Sequence, residues 1–456
     1  MDKLSLLQAD RQYLVHPVSN FTEHQRQGAK ILKSGQGAYL TDIDGNALLD
    51  AFAGLWCVNV GYGQQSVVEA ATRQMSQLPY ATGYFGFASE PAIELAQKLI
   101  ELTPASLQHV YFTLGGSDAD DSAVRYITRY FNAIGKPNKK QFIALERGYH
   151  GSSSTGAGLT ALPVFHHQFD LPLPTQHYIP SPYPYRSEHE GDDQAIIAAS
   201  VAALRAKVEQ LGADNVAAFF CEPVQGSGGV IVPPKGWLKA MEQACKELDI
   251  LLVVDEVITG FGRTGPLFAC LDEGVEPDLL VLAKGLTSGY APMGALLMSE
   301  AVFQGIAADN SVVGHGYTYS GHPVSAAIGL EVLRLYTEGG LLAHAQAHEP
   351  LFREGLQALQ KHPLVGDARS RGLLGAVELV ANKTTKARFD PALKLNELIA
   401  ERAYQNKLIF RAFADNILGF APALCFGATE FEQLFERLED TLDQVLEIRE
   451  VRQAIA

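Results

Sequence analysis

The sequence predicts an α/β protein with a large domain built on a mostly parallel sheet flanked by helices. Three observations carry this. Short, unbroken apolar runs recur through the middle of the chain. Helix-length amphipathic stretches separate them. Two of the runs end abruptly on a single charged residue, as strands do where a parallel sheet meets a ligand crevice.

The runs expected as strands are residues 109–114, 141–145, 216–221, 250–254 and 279–282. Their unbroken apolar character fits strands covered on both faces. The stretches expected as helices are 66–77, 90–102, 117–134, 193–211 and 235–248. Near the N-terminus, 37–42 and 47–50 flank Asp44-Gly45 and read as a hairpin. Residues 161–190, rich in proline, histidine and tyrosine, read as a long irregular surface excursion. From about His322 the pattern shifts to longer amphipathic helices at 323–337, 340–361 and 430–452, with a short strand at 375–380. The expected division is 1–60 as an N-terminal segment joining a smaller α+β domain, 61–320 as the large domain, and 321–456 as the C-terminal part of the smaller one.

The chain has 456 residues, 47% hydrophobic and 19% charged, an ordinary globular balance. A net charge of −15 argues against nucleic acid and anionic membrane surfaces, which need a basic footprint. A phosphate held locally by backbone N–H groups remains compatible with it. The five cysteines are scattered and odd in number, which fits free thiols in a reducing compartment. No signal peptide and no apolar run of spanning length are recognisable, so a cytoplasmic location is expected.

Three local features carry chemistry. In Leu251-Leu252-Val253-Val254-Asp255, an apolar strand ends in a carboxylate able to keep a heterocyclic nitrogen protonated. In Leu279-Leu280-Val281-Leu282-Ala283-Lys284, another ends in a lysine whose desolvation would make a nucleophilic amine for Schiff-base chemistry. In Leu114-Gly115-Gly116-Ser117, a glycine pair opens a helix, so free N–H groups and the positive helix end form an anion cradle. Singly, each has a plain structural explanation: a capping acid, a lysine reaching solvent, a capped turn. Together they are what pyridoxal phosphate asks for: an amine for its aldehyde, an acid for its ring nitrogen and an anion site for its phosphate.

The stretch Val253-Val254-Asp255-Glu256-Val257-Ile258-Thr259-Gly260-Phe261-Gly262-Arg263-Thr264-Gly265, continuing to Pro277-Asp278 and Ala283-Lys284-Gly285, resembles the signature of the class III (ω-) aminotransferases, which are fold-type I pyridoxal-phosphate enzymes. The 29-residue separation of Asp255 and Lys284 fits that family, and the resemblance covers almost the whole chain. It implies that Lys284 carries the cofactor and Asp255 partners its pyridine nitrogen. It implies that Val257 packs on one ring face and Tyr149 stacks on the other. Gly116 and Ser117 match the phosphate loop, and Glu222 matches an acid beneath the site. Thr318 matches a hydroxyl reaching the phosphate from the other subunit, which implies a homodimer with shared sites. Whether such dimers pair into a tetramer stays open.

For substrate, Trp56 and Tyr84 or Phe85 match pocket aromatics of the ω-transaminase subgroup. Arg411 resembles a movable arginine that binds a substrate carboxylate, a task suited to its planar fork. The implied reaction is ping-pong transfer from an ω-amino acid such as β-alanine, or a primary amine, to pyruvate. Alternatives are a diamine (putrescine or polyamine) donor, and an aminomutase or racemase of the same fold. One departure stands out. Where the family commonly reads Gly-Ser-Glu-Ala-Asn, this chain has Gly116-Ser117-Asp118-Ala119-Asp120. The extra carboxylate of Asp120 either lies near the phosphate and weakens its hold, or points away. His166, His167 and His177 read as surface histidines and not as metal ligands. Gly226-Ser227-Gly228-Gly229 reads as a turn near the pocket.

Overall fold

The structure, a computed structural model, describes residues 2–455. At its centre is a seven-stranded sheet in the order Leu107–Thr113, Gly294–Ser299, Leu279–Leu282, Leu251–Asp255, Val216–Cys221, Gln141–Leu145 and Gln176–Ile179. Gly294–Ser299 is antiparallel to both neighbours, and the other pairs are parallel. All strands but that one therefore run the same way, and their carboxyl ends line one edge. Val216–Cys221 and Leu279–Leu282 are buried at every residue, which is why they appear in the sequence as continuous apolar runs.

Helices cover the sheet through regularly spaced apolar faces. In Gly116–Ala133, Ala119, Ala123, Ile127 and Phe131 recur every four residues and lie buried in one cluster with strand residues Phe220, Val253 and Val281. Burial of the Ile127 and Phe131 side chains contributes roughly 1.5–3 kcal/mol each. Asp193–Leu211 starts where the Asp192 carboxylate accepts the Ala195 N–H at 2.9 Å. The fold is thus α/β, as the alternation of apolar runs and amphipathic stretches predicts.

Two four-stranded sheets flank this body. In one, Leu32–Gln36, Tyr39–Asp42 and Ala47–Asp50 are joined by Leu408–Ile409, which pairs parallel to Ala47–Asp50. Residues near the two chain ends thereby share a sheet. The hairpin turn is held by Asp42, whose carboxylate accepts the N–H groups of Asp44 at 2.9 Å and Asn46 at 2.8 Å. The other contains Val365–Arg371, Leu374–Leu379, Ile417–Phe420 and Arg411–Ala412. Arg263, fully buried, binds the parts together: its guanidinium donates to the Leu373 carbonyl at 3.1 Å, to Asn59 Oδ1 at 2.7 Å and to the Pro422 carbonyl.

Two expectations need correction. Residues 161–190 are not wholly irregular, because Gln176–Ile179 forms the edge strand of the central sheet, paired with Gln141–Leu145. Four residues among prolines carry too little local signal to reveal this. The expected helix 430–452 is two helices, Ala428–Leu446 and Arg449–Ala454, broken where Ile448 takes an extended conformation. The break turns the chain so that Val451 is fully buried. Among the described residues, no helix is long and apolar enough to cross a membrane.

Candidate active site

Strand register decides which side chains meet. Asp255 lies opposite Val281, and Val254 lies opposite Cys221. Glu222, Asp255 and Lys284 therefore leave the sheet at one edge. Thr113 ends its strand at that edge and leads into Gly115-Gly116-Ser117, while Leu145 leads into Tyr149 and His150.

Lys284 has φ 41°, a left-handed conformation that costs a residue with a Cβ roughly 1–3 kcal/mol and persists only where its surroundings enforce it. The following glycine is a steric need: a Cβ on Gly285 would stand 2.8 Å from Asn59 Nδ2 and 2.9 Å from Phe261 Cβ. Burial pulls the Lys284 amine below its ordinary value, against the opposing influence of Cys57, Asp255, Glu222 and Asp120. Among the described residues its Nζ has no hydrogen-bond acceptor or ion-pair partner, and it lies 5.7 Å over the Trp56 ring.

Asp255 Oδ1 accepts the Val257 N–H at 3.0 Å, and Oδ2 lies 2.9 Å from His150 Nδ1. Asp120 settles the question its sequence position raises. It is 1% exposed and turned inward, with Oδ1 4.0 Å from His150 Nδ1. Burial and then the Asp255 charge hold its carboxyl well above the ordinary range. Asp120 Oδ1 and His150 Nε2 are both buried without a hydrogen-bond partner.

The helix start at Gly115–Ser117 has no side-chain cap. A Cβ on Gly115 would meet nothing within 4 Å, whereas one on Gly116 would stand 2.9 Å from Val257 Cγ2. Val257 therefore presses on the cradle at Gly116, while the space beside Gly115 is open. Ser117 Oγ accepts the Ser152 N–H at 3.2 Å, which ties the cradle to the loop carrying Tyr149. Glu222 anchors that loop: its two carboxylate oxygens accept the Tyr149 and Gly226 N–H groups, each at 2.9 Å. The Gly226-Ser227-Gly228-Gly229 segment is the expected turn, closed by pairing of Gln225 with Ile231.

These residues fit pyridoxal phosphate. A desolvated amine without an acceptor, an oriented carboxylate, orphaned buried polar atoms and an open helix N-terminus match its aldehyde, ring nitrogen and phosphate. Burial, reinforced by Asp255, pushes the Glu222 carboxyl from 4.5 up to about 7. Because its folded value lies above its unfolded one, the stability it lends is present below about 4.5 and lost as pH rises through about 7. The melting temperature of the cofactor-free chain should fall across that window, and Glu222→Gln should remove part of the slope. Scanning fluorimetry across the range checks this, and an unchanged slope would refute it.

Beyond Lys284 an aromatic line extends outward. Trp56, 3% exposed, stacks on Phe413 with centroids 6.1 Å apart, and the Arg411 guanidinium lies 5.4 Å over the Phe413 ring. Arg411 is exposed and has no ion pair among the described residues. Trp56 Nε1 is buried and unpartnered. Tyr84, Phe85 and Thr318 belong to a different, exposed surface. Tyr80 donates its hydroxyl to the Thr318 carbonyl at 2.9 Å, Tyr84 packs against Gly316, and Phe85 is 91% exposed. Among the described residues no hydrogen bond joins Thr318 to the Gly116–Ser117 cradle of its own chain.

Sequence reasoning passed over His150 and Phe413. A histidine beside Tyr149 in Arg147-Gly148-Tyr149-His150-Gly151 was a usable signal, since an acid at a strand end commonly needs an orienting partner. Phe413 had no such signal, because only the tertiary fold brings it to Trp56.

The family model described as aminotransferase class-III matches residues 21–442. Putrescine–pyruvate aminotransferase of Pseudomonas aeruginosa is 40% identical over 437 residues, covering 95% of each chain. The ω-transaminase of Pseudomonas jessenii, solved in complex with PMP, superposes with a TM-score of 0.94 at 39% identity, covering 97% of this chain and 98% of that one. An (S)-enantioselective ω-transaminase of Thermomicrobium roseum gives a TM-score of 0.95 at 36% identity, covering 98% and 100%.

Proposed function

This chain belongs to the class III aminotransferases, which are pyridoxal-phosphate enzymes, and from that premise we propose that it moves an amino group from an ω-amino acid or primary amine to pyruvate by a ping-pong mechanism. The observation that carries the substrate reading is the aromatic line from the Lys284 amine over Trp56 and Phe413 to the unpaired Arg411. Apolar rings suit the carbon chain between a terminal amine and a distant carboxylate, and the guanidinium fork suits that carboxylate.

Lys284 Nζ, Asp255, Val257, Tyr149, Gly116 and Ser117 would hold the cofactor. Once bound, pyridoxal phosphate supplies an electron sink for the bond pair left when a substrate carbon gives up its proton. Lys284 Nζ would be the group that takes up the proton from the substrate carbon and gives it back. Its desolvation lowers the pKa of the amine, which favours the unprotonated form this work needs. Asp255, oriented by His150 and the Val257 N–H, keeps positive charge on the ring nitrogen. Glu222 fixes the Tyr149 loop. Thr318, with exposed Tyr84 and Phe85 nearby, serves the site of a second copy in a homodimer.

Arg411→Leu should raise the KM for pyruvate by about 10- to 100-fold, the range for losing a charge-assisted hydrogen bond. Turnover of a donor without a carboxylate in the first half-reaction should stay near wild type. An equal loss with both would remove Arg411 from the substrate site. The donor reading is tested by a panel of β-alanine, putrescine and monoamines, each with and without pyruvate. Similarity to the Pseudomonas aeruginosa enzyme favours a diamine as the second reading. Putrescine turnover far above that of β-alanine would establish it, and product formation without pyruvate would replace both readings with a mutase.

A further inference from the structure

The N-terminal arm is a pair of short helices, Lys3–Tyr13 and Phe21–Gln27, and neither contains a buried residue. Apolar burial is therefore not what holds them against each other. A small unit of this kind usually depends on some other clamp. Where the two helices meet stand three side chains: Asp10 in the last turn of the first, His16 in the connection and His24 in the second. Their ligand atoms all lie within 4.8 Å of one another.

The geometry points to a binding site for one divalent transition-metal ion of the zinc type, held by Asp10, His16 and His24. Asp10 spans the two imidazoles, with Oδ1 2.6 Å from His16 Nε2 and Oδ2 3.1 Å from His24 Nε2. Around a zinc ion, ligand atoms bonded at about 2.0–2.1 Å stand about 3.3 Å from one another. The two Asp10 contacts lie within about 0.7 Å of that spacing, and the two ring nitrogens lie within 4.8 Å of each other.

A hydrogen-bonded clip explains one half of the arrangement and not the other. The His16 contact with Asp10 has hydrogen-bond geometry. Asp10 Oδ2 and His24 Nε2 face each other at 3.1 Å, yet neither has a hydrogen-bond partner, although the Asp10 side chain is only 10% exposed and that of His24 only 13%. A buried acceptor and a buried ring nitrogen that face each other without a hydrogen bond are better satisfied by a third body that bonds both. A cation between them satisfies the carboxylate and both imidazoles at once.

The surroundings leave room for that charge. Among the described residues no lysine or arginine nitrogen lies within 4.0 Å of the Asp10 carboxylate. Arg11 turns away to donate to the Gln27 carbonyl at 3.4 Å. Two imidazoles and a carboxylate without thiolate suit zinc over copper(I) or calcium. With three protein ligands and the His16 side chain 31% exposed, a fourth position opens to solvent water.

The test uses holoenzyme stripped of metal by chelator and dialysis. Zinc is titrated calorimetrically, and cobalt(II) is added in parallel for its visible bands, read against the holoenzyme spectrum. One site per chain with tetrahedral-type cobalt bands is expected. His16→Gln and His24→Gln should each weaken it by more than about 100-fold, beyond the effect of losing an outer-shell partner. Both variants should transaminate at the wild-type rate, since neither residue belongs to the catalytic machinery. A wild-type chain that takes up no zinc, or a double variant that binds as the wild type does, overturns the assignment. Should either variant fail to fold, the wild-type stoichiometry and cobalt spectrum still decide.

Discussion

Lys284→Ala abolishes transamination, with a loss of at least about 10²–10⁴-fold, the range attributed to a positioned acid–base group. The loss is expected at the top of that range or above it, because one amine is asked both to hold the cofactor and to shuttle the proton. Two readouts separate this from simple misfolding. The visible absorption of lysine-bound cofactor disappears. The melting temperature changes little, since the amine has no hydrogen-bond acceptor or ion pair among the described residues to lose. The left-handed backbone at Lys284 remains as strained for alanine, so no compensating gain is expected there. Retained turnover at the wild-type rate would refute the assignment.

Asp255→Asn is expected to lower kcat by about 10²–10³-fold, comparable with removing one preorganised electrostatic group from a buried site. Asparagine can still accept the Val257 N–H through its oxygen, so the loop conformation survives. What it loses is the negative charge facing the ring nitrogen, along with the acceptor for His150 Nδ1. Kinetics with saturating donor measure the effect, and cofactor retention on gel filtration accompanies it. A kcat within about threefold of wild type would mean that neighbouring Asp120 supplies the charge instead.

Much of this was readable beforehand, for identifiable reasons. Strands such as Gln141–Leu145 and Val216–Cys221, and helices such as Glu90–Leu102, fall at their predicted bounds. Their apolar runs are uninterrupted, or their ends carry local breakers such as Pro91 and Pro104. The helix expected from residue 235 begins at Trp237, because Gly236 takes a left-handed conformation ahead of it. The strand Gly294–Ser299, the only antiparallel member of the central sheet, went unpredicted although every residue in it is buried. Its apolar run is no weaker than its neighbours'. At the site, the cofactor-facing acid and amine were legible because each ends an apolar run. The inward turn of Asp120 was not, since a helix presents each residue in a different direction and the sequence alone does not fix which face meets the sheet edge.

The register of Asp255 against Val281 has a consequence for how this chain can vary in length. The distance between acid and amine is set across two hydrogen-bonded neighbours, not along the residues that connect them. Loop residues 273–277 could lengthen without moving either group. A single residue gained between Leu279 and Ala283 would turn the amine to the opposite side of the sheet, because side chains alternate with each step. Tolerance to insertion should therefore change abruptly at Asp278, where the Ser299 N–H and the Leu252 N–H both bind and the ruler begins.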